Sequence, residues 1–147
     1  MFEHLLKSDF VNLNYKRINQ SEKISGTARH DLSHVLNVVN LVESVLVQLN
    51  VDEGYIEAAK IAALLHDLGC VYGKKNHAFN SFLMTKDYLN ENDINLIYQQ
   101  EILDPIKSHG SSYDSNSLMT LALIMCDKID LTKHRLAPEG FETNGIR

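Results

Sequence analysis

The stretch DLSHVLNVVNLVESVLVQL, residues 31–49, decides the fold. Within it Val35, Val38, Val39, Val42, Val45, Leu46 and Leu49 recur at spacings of three and four, which is one face of an amphipathic helix. Valine favours strands, but strict alternation fails and the run is too long for one strand. Asp31 stands where a helix cap belongs, so His34 falls in the first turn.

Working outward, a second helix is predicted from a cap at Asp52 through Ile56, Ala59, Ala62, Ala63 and Leu64 to His66-Asp67, with Gly69 as its stop. Its alanines would let another helix approach closely. A third begins near Asn76 and carries Phe79, Phe82, Leu83 and Leu89. A fourth starts after Asn92 and meets Pro105, which either kinks it or opens a short new helix capped by Asp104. A fifth begins near Ser117 and contains Leu118, Leu121, Leu123, Ile124, Met125, Ile129 and Leu131. Before Asp31 the pattern is weak, with a short helix expected around Phe2 to Phe10 and a polar connection from Asn19 to Thr27. Ala137 to Arg147, with Pro138, Gly140 and Gly145, reads as irregular. The expectation is an all-α fold, a compact bundle of five or six helices forming one domain over residues 1–147.

Composition agrees. Leu, Ile, Val and Phe number 45 of 147 residues, enough for a core and too many for a disordered chain. Two prolines and seven glycines argue against a many-turned all-β architecture. A net charge of −5 argues against coating nucleic acid or an anionic membrane. No apolar run approaches the ~18 residues of a membrane span, and the N-terminus lacks a signal-peptide pattern. Two cysteines make no disulfide framework, so a cytoplasmic location is expected.

Several polar residues sit in apolar places. Asp127 follows Leu123 by four and Ile124 by three, which puts a carboxylate on or beside a buried stripe. A buried carboxylate needs a cation or a set of donors. For a lone Asp, a cap or a salt bridge would suffice. His66-Asp67 closes an otherwise apolar helix, and His34 shares a face with the valines. His30-Asp31 is a second copy of the dipeptide, so the dipeptide alone decides nothing. Together, four such groups on three apolar helices either are satisfied one by one or share a divalent cation. Two imidazoles and two carboxylates suit Mn, Fe, Zn, Co or Ni better than Ca or Mg.

The order His34, then Leu64-Leu65-His66-Asp67-Leu68-Gly69, then Cys126-Asp127-Lys128-Ile129-Asp130 resembles the H…HD…D signature of the HD-domain metal-dependent phosphohydrolases over about residues 30 to 135. The resemblance implies an all-α fold with His34, His66, Asp67 and Asp127 as metal ligands. His77 and His109 resemble the extra histidines of relatives that hold a second metal, which makes one or two ions per chain. The other reading of this pair is contact with substrate phosphate or protonation of the leaving oxygen. Many relatives carry Lys where this chain has Cys70. The chain also stops 20 residues after Asp127, where many relatives continue, so the pocket would be more open or completed by a second subunit in a homodimer.

The activity implied is hydrolysis of a small phosphorylated substrate, a nucleotide first of all. A cation lowers the pKa of water and offsets phosphoryl charge. Asp67 would be ligand and partner of that water, with His77 and His109 as further catalytic groups. Lys74, Lys75, Lys128, Lys133 and Arg135 are candidate phosphate contacts, with Arg135 favoured for its guanidinium fork. His30→Ala is expected to keep most of the metal and most of the activity. The alternatives are a di-iron oxygenase on the same scaffold and a non-catalytic nucleotide or metal sensor.

Overall fold

The computed structural model describes residues 1–25, 30–110 and 115–136, with backbone alone at Ser25 and at residues 134–136. The irregular segment expected at 137–147, Gly26, Thr27 and the Arg135 side chain lie outside the described residues. Seven α-helices and one 3₁₀ turn make up the regular structure among the described residues. They are α1 (Phe2–Leu6), α2 (Asp9–Ser25), α3 (Leu32–Gln48), α4 (Glu53–Leu65), the 3₁₀ turn (Leu68–Tyr72), α5 (His77–Glu91), α6 (Gln99–Ser108) and α7 (Leu118–Leu136). The fold class is all-α as expected, with more helices than the five or six foreseen.

The central element is α4. Ile61, Ala62, Ala63, Leu64 and Leu65 are all buried, a consecutive run that only a helix enclosed on every side can show. It packs against α1, α3, α6 and α7. Asp52 caps it by accepting from the Tyr55 amide at 3.2 Å. α3 buries Val35, Val38, Val39, Val42 and Leu46, and Asp31 caps it by accepting from the His34 amide at 3.1 Å. α7 buries Met119, Ala122, Leu123 and Cys126, whereas Leu118, Leu121, Met125 and Ile129 are exposed on its other side.

Three differences from the sequence reading have physical causes. The expected connection from Asn19 is the second half of α2 as far as Ser25. Val11, Tyr15 and Ile18 are its buried stripe, and Glu22 continues that stripe as a polar, partly buried member. Pro105 neither starts a helix nor ends one. It sits inside α6, and the amide of His109 still reaches the Pro105 carbonyl at 2.9 Å. Gly69 does not stop α4, which ends at Leu65, but lies within the 3₁₀ turn.

The reason for glycine at 69 is the start of α5. A Cβ there would lie 2.1 Å from the His77 carbonyl oxygen and 2.6 Å from the Ser81 nitrogen. Ser81 locks the approach: its hydroxyl accepts from the Gly69 amide at 2.7 Å and donates to the His77 carbonyl at 2.8 Å. The turn after α4 and the first turn of α5 are thereby held in fixed register. Gly69→Ala is expected to destabilise the protein by ~1–3 kcal/mol or more in denaturant unfolding, because backbone rather than a flexible side chain must yield. A loss below about 0.5 kcal/mol would show that the two elements are not locked.

Candidate metal centre

The site forms where helices end. His66 directly follows the last residue of α4, and its Nδ1 donates to the Ala63 carbonyl at 2.6 Å. His109 holds the same position after α6, with Nδ1 donating to Ile106 at 2.9 Å. His77 opens α5, and its Nδ1 donates to Lys74 at 3.0 Å. The last carbonyls of a helix have no partner within it, so a histidine just past the end can satisfy one with Nδ1 and aim Nε2 outward. The Tyr15 hydroxyl satisfies another by donating to Leu64 at 2.5 Å.

His34 reaches the same place from the first turn of α3. Its Nδ1 pairs with Asp130 Oδ2 at 2.7 Å, and its Nε2 lies 2.8 Å from Asp127 Oδ1. Thus each of the four histidines has Nδ1 committed to a carbonyl or carboxylate and Nε2 turned inward. This is the arrangement that orients imidazoles toward a metal ion.

Asp67 stands between two groups of these nitrogens. One ligand atom each from His34, His66, Asp67 and Asp127 lies within 4.8 Å of the others, and so does one each from Asp67, His77 and His109. On one side Oδ2 is 3.2 Å from His66 Nε2 and 3.4 Å from His34 Nε2. On the other, Oδ1 is 3.5 Å from His77 Nε2 and 3.7 Å from His109 Nε2.

Two features fit cations to this donor set. Asp67 Oδ2 is fully buried and has no hydrogen-bond partner. Such a carboxylate oxygen is costly unless a cation meets it. His77 Nε2 and His109 Nε2 face each other at 3.0 Å. With both Nδ1 atoms acting as donors, these nitrogens present lone pairs to each other, and only a proton or a metal between them removes the repulsion. Mixed N and O donors favour first-row transition metals.

The ionisation states follow from the same contacts. Burial pulls His34 down, but the facing carboxylates of Asp127 and Asp67 outweigh it and hold its pKa at about 10. His66 is likewise raised by Asp67 and Asp127 against burial. Burial would raise Asp67, yet His66, His109 and His34 hold it well below the usual carboxylate range. Asp127 is lowered against burial by His34 and His66. His77 is lowered, chiefly by burial, despite Asp67. Burial raises both thiols, Cys126 to about 11, so neither cysteine is an activated nucleophile.

The structure brings His34, His66, Asp67, Asp127, His77 and His109 to one place. Lys74 and Lys75 are exposed just before His77, where the Lys74 carbonyl holds that ring. Lys128 is turned about 100° from Asp127 and lines a surface hollow with Leu121, Met125, Ile129 and Thr132, apart from the His–Asp cluster. Lys133 is exposed on the same helix.

Asp130, Tyr15 and Glu22 escaped the sequence reading, and His30 was set aside there as a second copy of the dipeptide. Asp130 orients His34, and its spacing of three from Asp127 was the available signal. Tyr15 buttresses the end of α4. Glu22 and His30 form a pair beside the site, with His30 Nδ1 to Glu22 Oε2 at 2.7 Å. The His30 ring lies 5.8 Å from that of His34 and 6.1 Å from that of His77, so the second His-Asp copy is not remote from the first.

Residues 31–135 match the HD domain, and the chain belongs to that family, whose superfamily consists mostly of metal-dependent phosphohydrolases. Neither a curated protein nor a solved structure matches the chain. No helix among the described residues is long and apolar enough to cross a membrane.

Asp130→Asn is expected to weaken metal binding about 10–100-fold in a competition titration, because it removes the carboxylate behind His34. Unchanged affinity would contradict that role. A second expectation concerns pH. The His34 pKa is raised from 6.5 to about 10, so its contribution to the stability of metal-free protein is complete below about 6.5 and lost as pH rises through about 10. Asp127 is depressed, so its contribution is present above its ordinary pKa and lost only in acid. The melting temperature of chelator-treated protein should therefore fall between pH 6.5 and 10, and added metal should flatten the decline. A melting temperature that rises over that range would overturn the charge assignment.

Proposed function

We propose that this chain is a metal-dependent phosphohydrolase acting on a small phosphorylated substrate, a nucleotide in the first instance, at a centre holding two ions. The observation that carries the reading is Asp67, a buried carboxylate whose two oxygens face two separate sets of inward imidazole nitrogens. His34, His66, Asp67 and Asp127 would hold one ion, and Asp67, His77 and His109 the other. A divalent cation in such a site supplies Lewis acidity to a phosphoryl oxygen and lowers the pKa of a water towards neutrality.

The chain's own residues supply the rest. Asp67, held ionised, can orient an attacking water and accept its hydrogen bond. Asp130 keeps the His34 ring in place, and the Ala63, Lys74 and Ile106 carbonyls do the same for His66, His77 and His109. Ser81 and the glycine contact at 69 set where His77 stands relative to Asp67. Lys74 and Lys75 lie exposed beside His77, where outer phosphates of a longer substrate could meet them.

The test is a hydrolysis screen of the full chain reconstituted with Mn, Fe, Zn, Co or Ni. Nucleoside mono-, di- and triphosphates, dinucleoside polyphosphates and cyclic nucleotides are the substrates. Phosphate or nucleotide release should stop with chelator and return with metal, and Asp127→Ala should lose ion and turnover together. Oxygen consumption with iron but no phosphate release would replace this reading with an oxygenase. Tight nucleotide binding without turnover in every metal would make the chain a sensor. Elemental analysis tests the second ion: His77→Ala and His109→Ala should each drop the count from two towards one per chain. One ion in the wild type at saturation, kept by both variants as turnover is lost, would make these histidines substrate contacts.

A further inference from the structure

α7 carries two unlike faces. Asp127 and Asp130 meet His34 at the metal centre, and Met119, Ala122, Leu123 and Cys126 are buried in the core. Leu118, Leu121, Met125 and Ile129 are instead exposed, at 39%, 37%, 46% and 49%. No other helix among the described residues exposes four large apolar side chains. At about 100° per residue these four fall within about 40° of Met125 around the helix axis, and so does the exposed Thr132. Asp127 and Asp130 lie about 160° and 140° away from Met125. The five residues thus form one straight stripe on the side of α7 turned away from the metal centre. Single exposed apolar residues are ordinary, but a contiguous row marks an interaction surface.

The order of residues along the stripe says what fits it. From Met125 the next members lie four residues away on either side, at Leu121 and Ile129, and then seven away, at Leu118 and Thr132. The positions therefore read the same from both ends. A two-fold interface requires that property, because residue i meets residue j and j meets i. Two α7 helices laid antiparallel with Met125 on the axis pair Leu121 with Ile129, Leu118 with Thr132, and Met125 with itself. Lys128 borders the stripe and falls opposite Ala122 in this register, so the like charges of the two copies do not meet. No carboxylate interrupts the stripe. From Leu118 to Thr132 it runs about 21 Å, and paired helix axes approach to about 8–10 Å. Over both copies such a contact buries on the order of 1,000 Å², the lower end of a specific interface, which suits a reversible dimer.

We propose that the chain forms an antiparallel homodimer through this face of α7. The second copy then stands behind the metal centre rather than over it, on the helix that supplies Asp127 and Asp130. The proposal is independent of the phosphohydrolase reading, because oligomeric state is read without metal or substrate.

Sedimentation equilibrium of the full chain from about 1 to 100 µM should show a reversible dimer. Met125→Glu sets two carboxylates against each other on the axis and should raise the dimer Kd about 100-fold or more, with the far-ultraviolet circular dichroism unchanged. Register is tested by Leu121→Lys and Ile129→Glu. Each should weaken the dimer alone, and an equimolar mixture of the two should form a heterodimer, because position 121 of one variant meets position 129 of the other. Met125→Cys should crosslink to itself under mild oxidation. Leu118→Cys should not, since the two copies of that position stand about 21 Å apart. A chain that stays monomeric up to about 100 µM overturns the proposal and leaves the stripe to a different partner. A dimer that survives Met125→Glu also overturns it, because the contact then lies on another face. So does a mixture of the two charge variants that fails to reassociate, because the antiparallel register is then wrong.

Discussion

A carboxylate with 1% of its surface exposed and one oxygen without a hydrogen bond is the constraint around which this structure is arranged. Asp67 cannot be buried there at tolerable cost unless positive charge surrounds it. Without metal, protonated His34 and His66 provide that charge. Each of the four histidines around it comes from a different helix or helix end, so stabilising one side chain draws α3, α4, α5 and α6 together. α7 joins through Asp130 and Asp127, which meet the Nδ1 and Nε2 of His34. The polar centre and the apolar core are thus held by the same helices.

Helix termini do most of the aiming. A histidine one residue past a helix end repairs a dangling carbonyl and, as a consequence, directs its other nitrogen away from the helix. His66 and His109 use this geometry at α4 and α6. The device needs the helix ends to converge, and the contact at Gly69 with its Ser81 lock shows how closely the chain has been brought to achieve it. A methyl group at that position would push α5 outward and carry His77 away from Asp67.

The parts legible in the sequence were those where packing alone sets the pattern. α3, α4 and α7 follow apolar spacing, and His34, His66, Asp67 and Asp127 stood out because they interrupt apolar stripes. Where a stripe is polar by design, periodicity failed. Val11, Tyr15, Ile18 and Glu22 are spaced four, three and four, a helical face that the sequence reading missed, since it placed a short helix around Phe2 to Phe10 and a polar connection from Asn19. Glu22 is there to hold His30, a partner eight residues on, and only the folded chain brings them together. Gly69 was read as a stop from its residue type, whereas its cause is a backbone approach from α5. Asp130 was given no role from the sequence because its partner, His34, lies 96 residues away.

The two halves of the centre differ in what an arriving ion must displace. On the His34 side the metal-free site is already neutralised by protons on His34 and His66, held there by Asp67 and Asp127. An ion entering that half must expel those protons, so its apparent affinity falls as pH falls. On the other side His77 is held neutral by burial and offers its nitrogen without that competition. The shared Asp67 couples the halves. An ion beside Oδ2 would also draw charge from the Oδ1 side, where His77 Nε2 and His109 Nε2 lie 3.0 Å apart. The Lys74 and Ile106 carbonyls impose the orientation that brings these two ring nitrogens face to face beside Asp67.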